Sequence, residues 1–101
     1  MSAWITVVGV GADGPEGLPP ASRAMIESAE LLVGGDRHLS LIANGVSEKI
    51  AWDTPLDRTM ATIRANRGRR VVVLATGDPM AYGIGGTLAR HFTPADMAII
   101  P

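Results

Sequence analysis

The residues Gly77-Asp78-Pro79 break an aliphatic run so abruptly that they invite a chemical reading first. Glycine permits close backbone approach, aspartate accepts bonds from its own downstream amides, and proline fixes φ and removes a donor. Gly83, Gly85 and Gly86 follow. So many glycines weaken a helix start without improving its packing, which favours a ligand loop over a plain strand-to-helix turn. A second group is Asp36-Arg37-His38. Asp36 reads either as a helix cap or as a group that orients a substrate, and Arg37 suits bidentate capture of a carboxylate. His38 reads as a surface or internally satisfied histidine rather than a base. A third group, Gly9-Val10-Gly11-Ala12-Asp13-Gly14, matches G-x-G-x-x-G, the pattern of dinucleotide loops. In that pattern the third glycine lies in a helix, yet Pro15, Pro19 and Pro20 forbid a helix running on from Gly14. The second apolar run, Leu31-Leu32-Val33, ends in Gly34-Gly35 and lacks the acidic residue that binds ribose. A different ligand using the same first loop fits better than NAD or a flavin, although a nucleotide-binding α/β domain stays an alternative.

The remaining polar and aromatic candidates are quieter. Tyr82 packs against the turn or stacks on a ligand. His91 ends a helix, where a cationic imidazole suits the dipole, and is assigned no chemistry. Trp4 and Trp52 read as core residues, and Arg69-Arg70 as a solvated turn.

Five strands and the helices between them must position these groups. Residues 3–10 form a first strand, β-branched and almost continuously apolar. Pro19 and Pro20 let a helix start there and no earlier. Met25, Ile26 and Ala29 share its inner face, while Arg23 and Glu27 face outward. Residues 31–33 give a second strand, and Asp36 opens a short helix reaching about Ala43. A weaker strand covers residues 48–52. Thr54-Pro55-Leu56-Asp57 is a helix start, Leu56, Met60 and Ile63 recur at helical spacing, and Gly68 is placed as the left-handed stop. The run from Val71 is the fourth strand, residues 83–91 a helix with Leu88 and Phe92 as its large apolar residues, and residues 96–100 a fifth strand. This order predicts an α/β fold: an open, mainly parallel five-stranded sheet with helices on both faces, in one domain over residues 1–101. A last strand with no covering helix suggests the amino-terminal domain of a longer polypeptide.

Composition excludes several classes. A formal charge of −1 and a pI near 6.0 leave no electrostatic footprint for nucleic acid. The absence of cysteine removes disulfides, thiolate metal sites and a cysteine nucleophile, and fits a cytoplasmic protein. No apolar run approaches the ~18 residues of a membrane helix.

Three segments together resemble the tetrapyrrole (corrin/porphyrin) methylase family. They are Val8-Gly9-Val10-Gly11 with Asp13-Gly14-Pro15-Glu16-Gly17-Leu18, then Leu32-Val33-Gly34-Gly35-Asp36-Arg37-His38-Leu39, and Ala75-Thr76-Gly77-Asp78-Pro79-Met80-Ala81-Tyr82-Gly83. The second and third are most similar to the branch acting on precorrin-6Y-type corrin precursors in cobalamin biosynthesis. The resemblance implies two α/β domains with S-adenosylmethionine between them, this chain supplying the first and being inactive alone. It implies that Thr76, Gly77, Asp78 and Ala81 hold the cofactor and that Gly11 lines its cleft, with Ala12-Asp13 standing where Pro-Gly is common. Related uroporphyrinogen methylases carry an Asp-Arg pair matching Asp36-Arg37. That implies a catalytic role for Asp36 and a substrate role for Arg37, with Tyr82 beside them; the relatives' later lysine has no match here. The implied substrate is a polycarboxylated tetrapyrrole, the implied assembly a homodimer, and no metal is required. A non-catalytic module remains a further alternative.

Overall fold

β-branched and aliphatic runs extend because their stiff side chains suit a pleated surface, and they bury on both faces when helices cover both. The computed structural model describes residues 3–10, 17–35, 39–40, 48–51, 57–76 and 84–100. Its strands are β1 (Ile5–Val10), β2 (Leu31–Gly34), β3 (Lys49–Ala51), β4 (Val71–Thr76) and β5 (Met97–Ile100). Its helices are α1 (Pro20–Glu27), α2 (Asp57–Ala65) and α3 (Ile84–His91), with a 3₁₀ turn at Pro94–Asp96. The strands lie in the order β3-β2-β4-β1-β5, and every described pairing is parallel. The expected fold class therefore holds.

The pleat sorts the core into two layers. Ile5, Val7, Leu31, Val33, Val71 and Val73 face Met60 and Ile63 of α2 and Leu88 of α3. Val8, Val10, Leu32, Val72 and Leu74 face Ile26 of α1, with Leu18, Ala29 and Leu39. Right-handed crossovers explain the split. The chain from β1 to β2 and the chain from β4 to β5 travel in opposite directions along the sheet, so α1 and α3 must lie on opposite faces.

Local signals account for most boundaries. Pro20 is the first helical residue of α1, where a missing N–H costs nothing, and extended Pro19 precedes it. α1 stops at Glu27, short of Ala29 on its expected inner face: the Ser28 N–H makes the last α-type bond, to the Ala24 carbonyl, and the Ala29 N–H tightens onto the Ile26 carbonyl three residues back. α2 ends at Ala65, and Gly68 has φ 95°, the left-handed backbone expected there. β1 starts at Ile5, two residues later than expected. The Trp4 N–H is taken by the Asp96 carbonyl, and the Trp4 carbonyl by the Val71 N–H. Met60 and Ile63 are buried as expected, whereas Met25 is only half-buried. Trp52, Leu56 and the Thr54-Pro55 helix start lie outside the described residues, as does most of the helix expected from Asp36, of which 39–40 is helical.

Candidate functional site

Parallel strands put all their carboxyl ends on one rim. The β1–β4 register pairs Gly9 with Ala75 and Val10 with Thr76, so the glycine segment from Gly11 and the segment from Gly77 leave the sheet level with each other on adjacent strands. The first leads to α1 and the second to α3, on opposite faces. Neighbouring strand ends whose chains depart to opposite faces form the switch point at which open α/β sheets hold ligands. β2 joins the same rim. Its register with β4 runs from Leu31–Val71 to Val33–Val73, which sets Gly34 beside Leu74.

Of the expected site residues, the backbone of Thr76 is described, as the last residue of β4 on this rim. Gly11, Asp36, Arg37, Gly77, Asp78, Ala81 and Tyr82 lie outside the described residues, as does His38. What the sheet brings together is the three strand ends from which those residues continue: Val10, Gly34 and Thr76. The rim is built from small residues at its centre. Gly34 and Ala75 are both buried, and Gly9 is half-buried.

The polar side-chain bonding that is described concentrates at the opposite, amino pole. Asp96, 8% exposed, accepts from Trp4 Nε1 at 3.0 Å and from the Thr93 N–H and hydroxyl at 3.1 and 3.0 Å. Arg67 stands 3.6 Å from the same carboxylate and 5.4 Å above the Trp4 ring. The Trp4 hydrogen bond is the main influence holding the Asp96 carboxyl below the usual aspartate range. The Thr93 donors and the Arg67 charge add to it, and burial works against it. Trp4, half-buried rather than fully in the core, meets Phe92 edge to face at 5.6 Å.

Arg69 corrects the expectation of a solvated turn. Its guanidinium donates to Glu48 Oε1 at 3.1 Å, Asn66 Oδ1 at 2.7 Å and the Glu30 carbonyl at 3.1 Å. Glu30 in turn accepts from the Arg70 N–H at 2.9 Å. One side chain thus ties together the entries to β2, β3 and β4. Arg64 Nη2, which can only donate, stands 3.2 Å from His91 Nδ1 at the end of α3.

An open cleft of about 590 Å³ lies at this amino pole, lined by Trp4, Thr6, Met25, Glu30, Arg69 and Arg70 among others. Arg69 and Glu30 are already bound to each other and to the chain around them, so the cleft marks a structural junction. Sequence reasoning passed over Asp96 and Arg69. A readable signal existed for the first, since Thr93-Pro94-Ala95-Asp96 has capping-box spacing and forms that box. Among the described residues no group of His, Cys, Asp or Glu is arranged to hold a metal, and no helix is long and apolar enough to cross a membrane.

Comparison with known proteins agrees with this geometry. The chain is 43% identical over 102 residues to the precorrin-6Y C(5,15)-methyltransferase (decarboxylating) of a Sinorhizobium species, covering all of this chain and 25% of that protein. It is 38% identical over 97 residues to the cobalt-precorrin-7 C(5)-methyltransferase of Salmonella typhimurium, covering 96% of this chain and 48% of that one. The chain therefore spans a quarter to a half of the length of these curated relatives. Among solved structures, the methyltransferase CobJ superposes with a TM-score of 0.71 at 31% identity, over 97% of this chain and 44% of its own. The uroporphyrin-III C-methyltransferase from Thermus thermophilus gives 0.72 at 30% identity, over 95% and 46%. The family profile of the tetrapyrrole (corrin/porphyrin) methylases matches residues 5–101, from the first residue of β1 past the last of β5, and the chain belongs to that family.

Proposed function

We propose that the chain is one α/β domain of an S-adenosylmethionine-dependent methyltransferase that methylates a carbon of a corrin precursor, of the precorrin-6Y or cobalt-precorrin type, in cobalamin biosynthesis. The observation that carries this reading is the pairing of Val10 with Thr76, from which both glycine segments continue at one switch point, in a chain similar to named precorrin methyltransferases. The donor set suits the cofactor. A sulfonium and an ammonium call for carboxylate and carbonyl oxygens, which Asp78 and the glycine-rich backbone around Gly77 offer. When bound, S-adenosylmethionine supplies an electrophilic methyl group. In this proposal Thr76, Gly77, Asp78 and Ala81 hold it, Gly11 lines the same cleft, and Asp36 acts beside the substrate. Arg37 binds a carboxylate of the tetrapyrrole with Tyr82 at its side, so the protein supplies mainly alignment and exclusion of water. The second wall of the cleft is assigned to a further domain, so the 101-residue chain alone is inactive. A cytoplasmic homodimer belongs to the same proposal.

The test is ligand binding by the complete gene product. S-adenosylhomocysteine at about 100 times its Kd should stabilise the enzyme by about 2.7 kcal/mol, and NAD should not. Asp78→Ala should weaken S-adenosylhomocysteine binding roughly tenfold by calorimetry. Stabilisation by NAD with no response to S-adenosylhomocysteine would replace this reading by a nucleotide-binding domain, and unchanged affinity in Asp78→Ala would remove Asp78 from the site.

A further inference from the structure

Two consecutive glycines end β2, and their surroundings differ sharply. A Cβ added to Gly34 would stand 3.1, 3.2 and 3.4 Å from Cβ, Cδ1 and Cγ of Leu74, whereas one added to Gly35 would meet nothing within 4 Å. Neither glycine has a positive φ, so what Gly34 supplies is space and not backbone freedom. Leu74 is 1% exposed and packed in the α1-side core, with little room to withdraw. It lies two residues before Thr76, and Gly34 lies two residues before Asp36. Their contact therefore sets how closely the carboxyl ends of β2 and β4 approach.

We infer that Gly34 is a positioning residue: by carrying no side chain it lets the end of β2 settle against Leu74, and this fixes the separation between the substrate side and the methyl-donor side of the rim. The inference rests on the functional reading above and deepens it. In-line transfer requires donor and acceptor atoms aligned within a fraction of an ångström, so a shift of a few tenths matters to the rate far more than to either binding step. Gly35, one residue on, carries no such constraint.

The test uses the complete gene product, with transfer of a labelled methyl group to precorrin-6Y as the rate readout and S-adenosylhomocysteine calorimetry as the binding readout. Gly34→Ala should lower kcat roughly tenfold while KM and S-adenosylhomocysteine affinity stay within about twofold, and Gly35→Ala should match wild type. Gly34→Ala combined with Leu74→Gly should recover kcat relative to Gly34→Ala although the double variant melts at a lower temperature, because Cβ, Cγ and Cδ1 of Leu74, the three atoms that would crowd the new methyl, are all gone. A merely structural glycine would not separate rate from melting temperature in this way. Where Gly34→Ala alone does not accumulate folded protein, the double variant decides. A kcat within about threefold of Leu74→Gly supports the inference, and a persistent loss overturns it. Wild-type enzyme that takes no S-adenosylhomocysteine overturns the functional reading and this inference together. Active wild type beside an equally active Gly34→Ala overturns this inference alone.

Discussion

The two ends of the sheet are built for different purposes. At the amino pole, Trp4, Arg67, Thr93 and Asp96 close one hydrogen-bonded cluster, and Glu30, Glu48, Asn66 and Arg69 close another. At the carboxyl rim, the described residues at or next to the strand ends include Gly34 and Ala75, small groups that leave the edge to the segments beyond them. The geometry of a parallel sheet imposes part of this contrast. Every crossover helix ends near the amino pole, so its last turn favours cations, and Arg64 of α2 with Arg90 of α3 stand there. Those cations make the amino pole a natural place for charge-assisted bonds between distant segments, and they leave helix N-termini facing the rim. Groups that stabilise the fold and groups assigned to the ligand are separated by the length of a strand, about 20 Å for six residues.

That separation can be broken or sharpened by experiment. The largest effect is expected from Trp4→Ala, which removes the Asp96 hydrogen bond, the Phe92 edge contact and the Arg67 stacking surface at once. It should cost about 3 kcal/mol of stability, read from chemical denaturation, while the folded complete enzyme keeps its affinity for S-adenosylhomocysteine. A parallel loss of affinity would show the two poles to be coupled. Acid should produce a smaller effect on the same cluster. The Asp96 carboxyl sits lower in the folded chain than in the unfolded one, so its stabilising contribution is present above the ordinary aspartate range. It fades as pH falls through that range toward the lower folded value. Denaturation midpoints of wild type and Asp96→Asn should therefore converge on acidification, and a constant gap would remove Asp96 from the acid response. The smallest effect is expected at Ser22, near the start of α1 on the rim side. Its hydroxyl is buried with no hydrogen-bond partner among the described residues. Ser22→Ala should range from no change to a gain of about 1 kcal/mol, because the unmet polar group disappears and alanine favours helix. A loss beyond that size would mean the hydroxyl is not idle.

The alternation of elements was readable in the chain itself. Runs such as Val71-Val72-Val73-Leu74 are too uniformly apolar for a half-exposed strand, and Pro20 and Gly68 punctuate helices through restricted and left-handed backbone, effects that act within a few residues. The three motifs carrying the family resemblance were equally legible, since each is local. Long-range partnerships were not. Nothing in Arg69-Arg70 announces that Arg69 will bridge Glu30, Asn66 and Glu48, because a guanidinium accepts any carboxylate or carbonyl the fold delivers. The insertion of β4 between β2 and β1, the opposite faces of α1 and α3, and the contact between Gly34 and Leu74 are likewise products of the sheet. Local pattern determines which segments extend, coil or turn, because those preferences are set by a residue and its near neighbours. Which segments then meet is decided by burying both faces of one sheet with right-handed crossovers, a constraint that exists only once the whole domain is assembled.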